Sequence, residues 1–228
     1  MVVENPGWGA PRIHGELLML GFEVSETTIS RWMRRAPRNP EPAKRWQAFL
    51  RNHREVLAAM DFFTVPTLTF NVLFIISHDR KRILHFNVTR HPTSSWIVQQ
   101  LREAFPYQST HRFIIFDHDA KYGFEVAAAI HSMKITPVQT SIGSPWQNGV
   151  AERWVGSCRR ELLDHVIALN ERHLKRLLSD YISYRHEDRT HLGLGKKTPS
   201  GRTPDLPRGR IIARPRLGGL HHRYDRAA

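Results

Sequence analysis

The feature that most constrains this chain is a change of hydrophobic rhythm along its length. Three successive segments, 58–65, 71–78 and 82–88, are rich in Phe, Ile, Val and Leu and have strand length. The polar stretch His78-Asp79-Arg80-Lys81 separates the second from the third, which makes Asp79 a turn residue. A helical pattern with Trp96, Val98, Leu101 and Phe105 follows, opened by Thr93/Ser94. Next come a strand at 112–116, a helix near 123–133 and a short strand at 134–138. From Asn148 the pattern is helical past Leu162, and helical again over about 171–187. Three consecutive strands, then helix and strand in alternation, then helices imply an α/β fold with a mixed sheet covered by helices.

Three acids stand out against that frame. Asp61 lies inside the apolar run Ala-Ala-Met-Asp-Phe-Phe-Thr-Val at 58–65. Asp117 ends the run Arg-Phe-Ile-Ile-Phe-Asp, and Glu152 follows 35 positions later in Asn-Gly-Val-Ala-Glu-Arg-Trp. A carboxylate within or at the tip of such a strand is costly to bury unless a cation or hydrogen bonds compensate it. Three converging acids would repel one another and bind hard divalent cations. The pattern points to metal-dependent phosphoryl transfer on a nucleic acid.

Composition agrees. The 228 residues suffice for one sizeable core and a small helical annex, and 40% hydrophobic content suits a globular chain. Thirty-four Lys+Arg against 21 Asp+Glu leave a net charge of +13, which calls for a polyanionic partner. The single cysteine, Cys158, excludes an internal disulfide and a cysteine-rich zinc site, and its helical setting makes it a buried small residue. The fourteen histidines, including the His221-His222 pair, show no zinc-ligand spacing, and His53, His173 and His186 read as surface residues. No apolar run approaches membrane-spanning length and no apolar leader opens the chain, so a cytoplasmic protein without membrane contact is expected.

Residues 10–20 read as a helix closed by Gly21, and 28–35 as a second helix after the N-cap candidate Ser25. Ile29, Trp32 and Met33 would face inward, leaving Arg31, Arg34 and Arg35 outward. This is the pattern of a helix-turn-helix DNA reader, or of a plain helical hairpin with a basic end. Little sequence precedes it, so a shortened N-terminus is expected. Three prolines make 36–44 a linker, with a lead-in helix over Trp46–Leu57. The tail, Lys196 to Ala228, holds nine Lys/Arg against two Asp and reads as a basic arm for phosphate contact, with a hairpin near Arg210–Leu217.

The wording around the acids resembles the integrase-core family of DDE transposases, related to retroviral integrases. The resemblance extends over most of the chain and looks closest to bacterial insertion-sequence transposases. It rests on Asp-Phe-Phe-Thr-Val at 61–65, Asp-His-Asp-Ala-Lys-Tyr at 117–122 and Ser-Pro-Trp-Gln-Asn-Gly-Val-Ala-Glu-Arg at 144–153. It implies a ribonuclease-H-like, five-stranded mixed sheet with Asp61, Asp117 and Glu152 as catalytic and metal-binding acids. Asp119 competes for the second place. Tyr122, five positions after Asp117 where the family carries an aromatic residue, favours Asp117. The stretch Tyr184 to His191 resembles a family segment but carries Thr190 where proline is usual.

The resemblance further implies two Mg²⁺ or Mn²⁺ ions about 3.5–4 Å apart, bridged by Asp61, for hydrolysis and then strand joining by in-line displacement. The expected divisions are 1–38 for the helix-turn-helix, 39–54 for linker and lead-in helix, 55–192 for the catalytic core and 193–228 for the arm. Asn148, Arg153, Arg159 and Arg160 are candidate DNA contacts, with solvated surface charge the plain alternative for Arg159. Trp146 is a candidate for stacking on a base, against the commoner fate of packing. The loop Thr140–Gln147, with Gly143 and Pro145, is similar to the family's active-site loop. Partners would be double-stranded DNA, as element ends and target, and a second copy of the chain, in a bacterial, nucleoid-associated setting. The competing reading is a truncated, catalytically silent DNA-binding derivative; a nuclease that cuts without joining is a third.

Overall fold

The computed structural model describes residues 1, 8–35, 41–65, 69–106, 109–205 and 208–227. They form two compact units, Met1–Asn52 and His53–Ala228.

In the first unit, α1 (Ala10–Met19) and α2 (Glu26–Arg35) are joined through Gly21, whose φ of 80° suits a residue without Cβ. Phe22 N–H donates to Leu17 O at 2.9 Å and Gly21 N–H to Leu18 O at 3.0 Å, a Schellman closure of α1. Ser25 caps α2, its Oγ accepting from Thr28 N–H at 3.3 Å. Ile13 and Ile29 are buried, but Trp32, expected inward, is 64% exposed. A pair of short helices has one shared face, and Ile13 and Ile29 occupy it. A further correction concerns α3 (Glu41–Asn52), which begins within the expected linker and ends before Leu57. Pro42 stands in its first turn, where the missing N–H has no helical acceptor to lose. Of the expected linker, 36–40 lie outside the described residues, as do the side chains of Arg34 and Arg35.

The second unit is built on a five-stranded sheet of order β3-β2-β1-β4-β5. Its strands are β1 (Leu57–Val65), β2 (Phe70–Ser77), β3 (Ile83–Thr89), β4 (Phe113–Phe116) and β5 (Thr136–Gln139). β1–β2 and β2–β3 are antiparallel, whereas β1–β4 and β4–β5 are parallel. A parallel partner needs a crossover, supplied by α4 (Ser94–Ala104) and then α5 (Phe124–Ser132). On that face Ala58, Met60, Leu73, Ile75, Ile114 and Phe116 pack with Ile97, Leu101, Val126 and Ile130. The opposite face receives α6 (Gly149–Glu161), whose Trp154 is fully buried against Phe63 and Phe74, with ring centroids 5.5 and 4.2 Å away. α7 (Glu171–Glu187) buries Leu174, Leu178 and Tyr181. This is the ribonuclease-H-like mixed sheet flanked by helices that the sequence predicts. Among the described residues no helix is long and apolar enough to cross a membrane.

The tail forms a hairpin, β6 (Ile211–Arg216) and β7 (His221–Arg226), that turns at 217–220, later than expected. Ion pairs hold it to the end of α7: Arg216 Nε and Arg223 Nη1 reach the buried Asp188 carboxylate at 2.6 and 2.8 Å. His221 stacks on Tyr184 at 4.9 Å and donates from Nε2 to Glu161 O at 2.8 Å.

Candidate active site

β1 and β4 run parallel in a register that pairs Ala58 with Ile114 and Ala59 with Ile115. Side chains alternate across a strand, so Asp61 shares a face with Ala59 and Phe63, the face that Trp154 covers. Asp117 directly follows the end of β4, and its charge reaches Asp61. α6 then brings in Glu152, one turn into the helix. Its start is pinned by Asn148, whose Nδ2 donates to Met60 O at 3.3 Å, one residue from Asp61.

Electrostatics register the convergence. The Asp61 carboxyl is pushed up to about 7, chiefly by burial and further by the charges of Asp117, Glu152 and Asp119. The one opposing effect is the Phe62 N–H, which donates to Asp61 Oδ1 at 2.7 Å. Asp119 is differently engaged. Burial works to raise its pKa, but Lys121 outweighs this, with Nζ 2.6 Å from Oδ2 and its backbone N–H 3.0 Å from Oδ1. The net pKa falls. Asp117 Oδ1 accepts from Asp119 N–H at 3.1 Å, which shapes the turn after β4. Asp119 thus serves a local ion pair, while Asp117 stands just beyond the end of β4.

Asp61, Asp117 and Glu152 would offer a cation three hard oxygen donors of like charge, the donor chemistry that suits Mg²⁺ or Mn²⁺. The side chains are not closed into a cage: among the described residues no three His, Cys, Asp or Glu are grouped closely enough to hold one ion.

In the second unit Arg153, Arg159 and Arg160 are exposed on α6; in the first, Arg31 is exposed on α2. Trp146 is 49% exposed and available to a ligand. Asn148, expected among the DNA contacts, is 3% exposed and spent on the β1 backbone, with its Oδ1 buried and without a hydrogen-bond partner. Gly143 turns the preceding loop at φ 70°, and Gln147 clamps it by accepting from Ser141 N–H. Cys158 is fully buried, its thiol raised to about 12 mainly by burial, which suits packing and not nucleophilic attack. His186, expected at the surface, is half-buried and accepts from Ile83 N–H at 2.9 Å.

Sequence reasoning used Tyr122 only as a marker for Asp117. Its ring packs on Phe62 and Phe116, with centroids 5.8 and 5.2 Å away, and its hydroxyl is buried with no hydrogen-bond partner. Burial, then Asp61 and Asp117, raise its pKa. The available signal was its position beside two acids within an aromatic cluster. Trp154 was missed as the wall behind Asp61.

Residues 133–199 match the family model described as an integrase core domain. The fold is similar to the catalytic core domain of BIV integrase at 15% identity and a TM-score of 0.50, over 64% of this chain and 91% of that one. The chain shares its fold with that integrase core. A second likeness is to a simian T-cell lymphotropic virus intasome, solved with the PP2A regulatory subunit B56 gamma. There the identity is 17% and the TM-score 0.52, over 75% of this chain and 66% of that one. At these identities the likeness is one of fold. No curated protein matches the chain.

Proposed function

We propose that this chain is a DNA transposase of the bacterial insertion-sequence type, cutting and joining DNA strands through Asp61, Asp117 and Glu152. The observation that supports this best is the half-buried Asp61 carboxyl, raised to about 7 by burial and by the charges of Asp117 and Glu152. Perturbed acids cluster at functional sites. Asp61, Asp117 and Glu152 would hold divalent cations, which would supply activation of a water or 3′-hydroxyl and charge neutralisation at the leaving oxygen. The chain's own part is to fix three carboxylates on rigid elements: mid-strand, strand end and first helical turn. Trp154 and Phe74 shut water out from behind, and exposed Arg153, Arg159 and Arg160 hold the phosphodiester strand. The substrate is double-stranded DNA, as element ends and target. Joining two ends requires at least two copies of the chain, acting in a bacterial cytoplasm.

The test is a Mg²⁺-dependent nicking and strand-joining assay on DNA carrying the sequences that flank the gene, comparing wild type with Glu152→Gln. Activity lost in the variant supports the proposal. DNA binding without activity in either protein would favour the silent, binding-only derivative.

A further inference from the structure

A second unneutralised charge cluster lies at the other end of β2. The turn at 78–82, the last turn of α7 and the loop 191–199 meet there. Arg80 donates to Pro199 O and Thr198 O at 2.6 and 2.9 Å. Ser200 N–H donates to His186 O at 3.0 Å, and His191 Nε2 to Arg185 O at 3.3 Å. Arg54 joins from the segment before β1, donating from Nη2 to Asp79 O at 2.9 Å. The Lys81 amine lies against Gly193.

Arg185 is 4% exposed, and its Nε and Nη1 are buried with no hydrogen-bond partner; His78 Nε2 is in the same condition. Burial lowers the Lys81 pKa, and so do the charges of Arg153, Arg54 and Arg185, all of them cations. Among the described residues no carboxylate pairs with Arg54, Lys81, Arg153 or Arg185. Glu161, whose charge reaches Arg185, is already held by Arg189 at 2.6 and 2.8 Å and by the Tyr181 hydroxyl at 3.0 Å. Buried guanidinium donors without partners are a liability that an anion would relieve. Several converging N–H donors suit the multiple charged oxygens of a phosphate.

We infer that Arg54, Lys81, Arg153 and Arg185 form an oxyanion site that holds a backbone phosphate of the nucleic acid, apart from the three acids. The inference rests on the DNA-processing reading above and gives it a second anchor. Position supports a nucleic-acid strand. Arg153 follows Glu152 directly on α6, and Ser77, next to His78, pairs with Ala58, three residues before Asp61. At about 3.3 Å per strand residue that is roughly 10 Å. A strand rising about 3.4 Å per nucleotide covers this in roughly three nucleotides.

The experiment is fluorescence anisotropy with a short duplex in EDTA across a salt series. It compares wild type, Lys81→Ala, Arg54→Ala and Arg102→Ala, the last removing one exposed charge from α4 on the opposite sheet face. Lys81→Ala and Arg54→Ala are expected to weaken binding roughly tenfold and to reduce the log–log salt slope by about 1 each, with Arg102→Ala changing neither. Without metal the assay reads binding alone, so its outcome is separate from that of the Glu152→Gln cleavage assay. Wild-type affinity in both site variants, or an equal loss in Arg102→Ala, would overturn the site. A thermal-shift series with inorganic sulfate separates the sources. If sulfate stabilises wild type but not Lys81→Ala while duplex affinity is unchanged, the site takes a free anion and the nucleic-acid assignment falls. Loss of self-association in Lys81→Ala with intact DNA binding would overturn it as well.

Discussion

At Asp61 the sheet buries a carboxylate among carboxylates; at Lys81, farther along the same sheet, it gathers cations among cations. Elsewhere in the second unit several carboxylates are paired closely with arginines. Asp188 accepts both Arg216 and Arg223, Asp225 is reached by Arg202, Arg214 and Arg223, and Glu161 takes Arg189. Charges that hold structure together are thus neutralised locally. The two clusters joined by α6, through Glu152 and Arg153, are left open although opposite charges stand one residue apart. That contrast marks them as places for ligands: cations on one side and phosphate on the other, which together are the parts of a phosphodiester-processing site.

The largest effect that could break the comparison is on chemistry. Asp61→Ala or Glu152→Gln should reduce metal-dependent strand cleavage on the order of a thousandfold, as losing a group that stabilises transition-state charge does. Lys81→Ala should instead act on DNA affinity. Equal losses of cleavage at saturating DNA in both kinds of variant would erase the distinction between the clusters. Next comes the wall behind Asp61. Trp154→Ala empties the space beside Phe63 and Phe74 and should cost about 3–5 kcal/mol in urea denaturation.

The two regions should also respond to pH with opposite signs. Asp61 is raised from its ordinary 3.8 to about 7, so the fold favours its protonated form. Its contribution to stability is full below about pH 4 and is lost as pH rises toward about 7, a swing of at most roughly 4 kcal/mol. Asp61→Asn should remove that slope in metal-free denaturation. His78, His186 and His191 are lowered to about 4, first by burial and then by neighbouring cations or, for His191, by Arg185. Their contribution is full above about pH 6.5 and is lost as pH falls toward about 4, up to roughly 3 kcal/mol for His78 and less for His186 and His191, which solvent screens more. His78→Gln should flatten the acid side of the profile alone; a change on the neutral side instead would contradict the assignment.

Much of this was legible in sequence because apolar runs report strands directly. β1, β2 and β4 were each placed within a residue or so, and α7 was read at its full extent. The place of Asp117 directly after β4 was foreshadowed by the run Phe113–Phe116, which ends on the acid. Other parts were hidden for physical reasons. Prolines at 36–42 argued for a linker, yet Pro42 suits the first turn of α3. Trp32 fits a helical face that two short helices have no partner to cover. The cationic cluster draws Arg54, Lys81, Arg153 and Arg185 from four separate elements, and each alone reads as ordinary surface charge. The tail's composition predicts an arm but cannot show that Asp188 and Glu161 hold it.

The most direct test is calorimetric titration of Mg²⁺ and Mn²⁺ into the wild type, Asp61→Asn and Glu152→Gln proteins across pH 6 to 8. Cations bind the ionised carboxyl, so wild-type affinity should climb as pH rises to about 7 and then level off, with uptake lost in both variants. Uptake that ignores pH and survives in Asp61→Asn and Glu152→Gln would contradict the account.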